Sequence, residues 1–164
     1  MDKKRILYVL LGLVAVVGVM LGVDFWQRQQ AAALAPADMP PGSIPIFMDS
    51  KFVASFVPDD LGEVRSASFV DAEEGKTQEG WLLGDVILLY VKQSKLKDDT
   101  QVTVSSSSRE KSKTLTWAEI ASPDTNVLFD LSGRGTLKLA SDIPGFDTRD
   151  DWVQDVDKIE ITQP

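Results

Sequence analysis

The chain contains no cysteine and no histidine. It therefore has no thiolate or imidazole metal ligand, no disulfide and no Cys or His nucleophile. A Ser-His-Asp triad and a lipid-bearing cysteine are excluded on the same ground. The missing cysteines do not fix the redox compartment, because a domain with a sufficient core folds without disulfides on either side of a membrane. No internal repeat is visible, and no Gly-rich phosphate loop follows a strand. The "GRG" at 133–135 stands between two strand candidates and reads as a turn.

Positive charge is also scarce. Lys and Arg total 17 against 25 Asp and Glu, a net charge of −8. Residues 2–5 carry +2 of that total, which leaves −10 for everything beyond Leu21. So acidic a surface repels polyphosphate, and no nucleic-acid partner is expected. The charge reads instead as a solvated surface.

What is abundant comes first in the chain. "ILYVLLGLVAVVGVMLGV", Ile6 to Val23, is eighteen residues without a charge. At about 1.5 Å per residue it nearly covers the ~30 Å hydrocarbon core of a bilayer. Phe25 and Trp26 extend its far end as interfacial aromatics. Lys3, Lys4 and Arg5 precede it, whereas Asp24 and Arg28 follow. The positive-inside rule makes residues 1–5 a cytoplasmic stub, 6–26 a transmembrane signal-anchor helix, and the rest extracytoplasmic. A single-pass cell-membrane protein is thus expected. The competing reading is a cleaved signal peptide, with Ala33 and Ala35 as the small residues of its site. The apolar run exceeds the ~7–15 residues of a signal peptide, and those alanines lie about ten residues past it. The length argument favours a retained anchor. Gly18 and Gly22 form a G-x-x-x-G pair, a weak signal because glycine is common in membrane helices.

Residues 27–43 are rich in Ala and Pro. Pro36, Pro40 and Pro41 prevent continuous helix and give an extended spacer. The extracytoplasmic domain then runs 44–164. "IFMDSKFVASFV" predicts a hairpin turning at Asp49 and Ser50, and Pro58 to Asp60 open a helical turn with Leu61 and Val64. "SASFVDA" reads as a short strand followed by a polar loop, "EEGKTQEG". "GWLLGDVILLYVKQSK" has helical spacing, with Gly80 at its start and Lys92 and Lys95 near its exit. Asp85 and a length of about a dozen residues argue against a second span and for a buried core helix.

"TQVTVSSSS" is β-branched and alternating, hence a strand, and Ser105–Ser108 with "REKSK" reads as its polar end and a hairpin loop. Thr116 stands three residues before Glu119 at capping-box spacing, which predicts a short helix with Trp117 and Ile120 inward. "NVLFDL" and "TLKLAS" read as strands flanking "SGRG", and "DWVQDVDKIEIT" supplies the last strand. The pattern is an α+β domain, β-rich with a few short helices.

Few residues suggest chemistry. The pairs Asp59–Asp60, Glu73–Glu74 and Asp150–Asp151 are carboxylate neighbours, but neighbours on extended chain point apart and read as loop charges. Asp147 to Asp157 holds five acids, without the glycine and closing glutamate of a calcium loop. Trp81, Trp117 and Trp152 read as core rather than as a pocket lining. Arg109 and Arg134 sit in loops and have the charge to bind an anion, but lone exposed arginines mostly do not, and they read as solvated. No catalytic or metal residue is assigned, and no cofactor-binding residue is identified.

The order of features resembles the oxidoreductase molybdopterin-binding domain, the sulfite-oxidase-like fold. "GWLLGDVILLYV" resembles its glycine-then-apolar helix with an internal Asp, and "VTVSS" its V-x-V strand. "GTLKLASDIPGF" with "DWVQDVDKIEI" resembles its closing pattern. The resemblance covers Ile44 to Thr162. It implies that catalytic members hold molybdenum by a cysteine thiolate, with His and Arg at the pterin phosphate. No Cys or His is present here to carry those roles. What the resemblance implies is a reduced relative, and molybdopterin enters as a cofactor only through it.

The expectation is a membrane-anchored, non-catalytic binding or interaction module on that scaffold, taking a protein partner or small ligand in the domain's cleft. Two alternatives stay open. One is an oxidoreductase or redox accessory holding a pterin-type cofactor without a thiolate. The other is a structural envelope subunit built on an unrelated β-sandwich.

Overall fold

The computed structural model describes Pro36 and residues 38–164. The stub, the expected anchor 6–26 and most of the linker lie outside the described residues. Among the described residues, no helix is long and apolar enough to cross a membrane. The compact unit spans Asp38–Pro164. A turn in which Ser43 N–H donates to the Pro40 carbonyl at 3.1 Å leads into its first strand.

That strand, β1 (Ile44–Met48), folds back on β2 (Lys51–Phe56) through Asp49 and Ser50. Both turn residues take left-handed angles, φ 49° and 63°, which a two-residue hairpin turn requires if its twist is to match the strands. Asp49 Oδ1 also accepts from Gln163 N–H at 3.0 Å, so the turn is tied to the chain's last residues. β1 pairs in parallel with the final strand, Lys158–Thr162. Two further strands, Gln101–Ser106 and Lys111–Thr116, complete the first sheet beyond it.

Numbered in chain order, the second sheet holds β3 (Ser66–Val70), β4 (Thr77–Leu82), β7 (Val127–Leu131) and β8 (Leu137–Ser141), all antiparallel and in that order. The first sheet is then β2-β1-β9-β5-β6, with Gln101–Ser106 as β5, Lys111–Thr116 as β6 and Lys158–Thr162 as β9. β9 lies at its centre, and its alternate residues Ile159 and Ile161 are fully buried. The two sheets share one core, where the Phe56 ring of β2 stands 6.4 Å from the Phe129 ring of β7. Each fully buried Leu, Ile or Phe there contributes about 1.5–3 kcal/mol relative to exposure. The fold is β-rich with two sheets and a few short helices.

Among the described residues the two α-helices are α1 (Leu83–Tyr90) and α2 (Trp117–Ala121). α2 has the expected capping box: Thr116 Oγ1 accepts from Glu119 N–H at 3.3 Å, and Glu119 Oε2 accepts from Thr116 N–H at 2.7 Å. Trp117 and Ile120 face inward as expected.

Three local expectations are corrected. The loop "EEGKTQEG" ends at Lys76, and Thr77 to Leu82 form β4 between β3 and β7. The helix therefore begins at Leu83 rather than Gly80, because Trp81 and Leu82 are held against Phe129 and Leu128. Lys92 and Lys95 lie past its end, and Leu89 is 55% exposed instead of buried. Finally, "KSK" is not loop: Lys111–Lys113 open β6, and only Ser107 to Glu110 turn between the strands.

Candidate functional site

α1 and α2 pack against each other at Gly84 and Ile120. A Cβ on Gly84 would meet Ile120 Cγ2 at 3.4 Å. Residues of the two helices wall a cleft of about 490 Å³, lined also by Leu82 and continued by the 122–126 loop. Its rim is polar on one side, where Arg65 Nη2 donates to Asp85 Oδ2 at 3.3 Å. Ser122, Thr125 and Asn126 supply further polar groups, and Leu88 adds a 38% exposed apolar edge. Asn126 is held rigidly: its N–H and Nδ2 both donate to Asp142, at 2.7 and 2.6 Å. The cleft combines apolar surface with a few oriented polar groups, as ligand and peptide sites do.

A second polar feature crosses one face of the β3-β4-β7-β8 sheet. Asp130 pairs with Lys138 at 2.7 Å, and Lys138 Nζ donates to Gln78 Oε1 at 2.8 Å. Gln78 Nε2 donates to Asp71 Oδ2 at 2.8 Å, and Arg149 Nη2 donates to the same oxygen at 3.2 Å. Arg149 Nη1 continues to Glu74 Oε2 at 2.9 Å. The Asp71 side chain is fully buried, and the Glu74 N–H at 2.6 Å does most to hold its carboxyl below the usual range. Burial opposes that shift, and Arg149 and Gln78 reinforce it. The Trp152 ring covers this chain of contacts, with Lys138 Nζ 4.9 Å from its centre and Phe69 edge-on at 6.1 Å.

Arg109 and Arg134 are brought together on one carboxylate. Asp155 accepts from Arg109 Nε at 2.7 Å, from Arg134 Nη2 at 3.2 Å and from the Thr136 hydroxyl at 2.8 Å. The Thr136 hydroxyl leads in lowering its pKa, followed by Arg109. Asp155 takes φ 54° to present its side chain this way.

The other residues singled out from sequence do not gather into one site. Trp117 lines the cleft, Trp152 lies under Arg149, and Trp81 is half-buried in β4. Glu73 and Glu74 both hold Arg149, since Glu73 Oε2 accepts its backbone N–H at 3.2 Å. Asp60 caps Val57 N–H at 2.9 Å, and Asp151 accepts from the Thr148 hydroxyl at 2.6 Å. Ser106 is buried and lies 3.3 Å from the Ser108 hydroxyl. Among the five clustered acids, Asp155 alone collects two arginines. Sequence reading missed Asp71, Gln78, Lys138 and Arg149 as a set. The only signal was local: an Asp three residues before Glu74, the spacing of a side-chain-stabilised turn.

No family model matches the chain, and no curated protein matches its sequence. Among the described residues, no three His, Cys, Asp or Glu side chains stand where they could hold a metal. A thiolate-held molybdenum does not fit this donor set, because the chain has no cysteine to supply the ligand.

Proposed function

We propose that this chain is a membrane-anchored, extracytoplasmic binding module. In this reading residues 6–26 form the anchor, the amino terminus is cytoplasmic, and the domain is a sulfite-oxidase-like scaffold without molybdenum catalysis. The ordered motifs from Ile44 to Thr162 and the helix at Leu83–Tyr90 support the scaffold. The observation that carries the binding role is the cleft between α1 and α2. It is the place where apolar wall, an arginine–aspartate rim and a fixed asparagine converge. Neither a cysteine nor a histidine stands in it, so its chemistry is recognition by shape and hydrogen bonds rather than thiolate or imidazole catalysis.

The test is site-directed photo-crosslinking in the native membrane. A photoreactive residue replaces Leu88 at the cleft or Val53, similarly exposed but on β2. The reading expects one discrete adduct from Leu88, read by mass as protein or small molecule, none from Val53, and its loss in Ala121→Trp. No adduct from Leu88, or the same adduct from both positions, rejects it.

A further inference from the structure

Away from the cleft, and sharing no residue with it, lies a basin of about 230 Å³ lined by Arg109, Lys111, Arg149, Asp150, Trp152 and Gln154. Three cations and one carboxylate line it, in a chain whose part beyond Leu21 sums to −10. Arg109 is paired with Asp155, and Arg149 with Asp71 and Glu74, which leaves Lys111 as the lining cation without a carboxylate partner among the described residues. Arg109 comes from the β5–β6 turn, Lys111 from the first position of β6, and Arg149 from the loop between β8 and β9.

The donors there are not used up. Arg109 meets Asp155 through Nε, and among the described residues its two terminal nitrogens have no protein acceptor. Lys111 Nζ donates to the Asp150 backbone carbonyl and, among the described residues, pairs with no carboxylate. Arg149 Nε is buried and has no acceptor among the described residues. Its other two nitrogens are anchored on Asp71 and Glu74, so the guanidinium cannot swing away.

We propose that this basin binds a small oxyanion, the phosphate or carboxylate group of a solute or ligand. Lys111 and the terminal nitrogens of Arg109 donate to its oxygens. Oxyanions suit such a site because Arg and Lys donate charge-assisted hydrogen bonds to them. The volume lies below the ~300–1,000 Å³ of sites for drug-sized ligands, so it suits one such group rather than a whole nucleotide.

The experiment is a titration of the 15N-labelled full chain in detergent with inorganic phosphate and, separately, acetate, at constant ionic strength held with chloride. The readout is the amide signals of Arg109, Lys111 and Gln154 and the Trp152 indole N–H. Saturable shifts at these signals are expected with at least one anion, and which one saturates tells phosphate from carboxylate recognition. Lys111→Gln should weaken binding about tenfold or more, as expected for losing a charged hydrogen-bond donor. Lys51→Gln, on β2, removes the same charge elsewhere and should leave binding unchanged. Unsaturable drift with both anions overturns the proposal. So does wild-type binding in Lys111→Gln, or equal weakening in Lys51→Gln.

Discussion

Arg149 Nη2 donates to Asp71 Oδ2 at 3.2 Å across 78 positions of sequence. The carboxylate is fully buried and the guanidinium one-third exposed, so Arg149 covers a charge that has left water. Removing the cation leaves that charge with Gln78 and the Glu74 N–H alone. Breaking a buried pair from one side is destabilising because the remaining ion stays desolvated. Arg149→Met is expected to lower the urea midpoint of the full chain well beyond the effect of Arg65→Met. Arg65 pairs with Asp85 in the open, with 76% of its side chain exposed.

Acid acts on the same groups. Asp71 is held low chiefly by the Glu74 N–H, Glu74 by the Lys76 ammonium, and Asp155 by the Thr136 hydroxyl. A carboxyl whose pKa is lower folded than unfolded stabilises the fold fully above its unfolded value, about 4. That stabilisation is lost as the pH falls through the lowered folded value. Urea midpoints should therefore be flat from about pH 7 to 5 and drop steeply below about pH 4. Thr136→Val removes the leading support at Asp155. It should lower the midpoint at neutral pH and shrink the fall on acidification.

Gly80 tests the register of β4. A Cβ there would collide with the backbone carbonyl of Phe129 on the neighbouring strand, whereas at Gly133 nothing lies within 4 Å. Gly80→Ala is expected to cost roughly 2–4 kcal/mol, since backbone rather than a flexible side chain must yield. Gly133→Ala should change stability by less than about 1 kcal/mol. Equal midpoints for the two variants would show that β4 is misplaced.

Much of this architecture was legible where the signal is local. The Asp49–Ser50 hairpin and the Thr116–Glu119 box depend on neighbours within a few residues, and both stand where the spacing put them. β4 was illegible because its buried positions are Gln78 and Gly80, so no apolar alternation marks it. β6 was hidden likewise, with Lys111 and Lys113 on an edge strand whose one buried residue is Leu115. Arg109 and Arg134 read as loop arginines, since nothing in their own segments announces Asp155, 46 and 21 positions away. Apart from the local Asp71–Glu74 turn, the Asp71 cluster and the oxyanion basin are products of tertiary assembly.

The orientation proposed for the chain gives a direct labelling test, helped by the absence of native cysteine. Ser94 is exposed, so Ser94→Cys provides a single reporter on the domain. A membrane-impermeant maleimide should label it in intact cells or spheroplasts. Labelling that requires lysis of the membrane would place the domain on the cytoplasmic side.

The central claim is a binding domain on an enzyme-like scaffold whose metal reaction is missing. Molybdenum and pterin content, measured on the full chain purified from its native membrane, tests it most directly. The account predicts molybdenum at background and no pterin fluorescence after denaturation. Either one at near-stoichiometric level would contradict it.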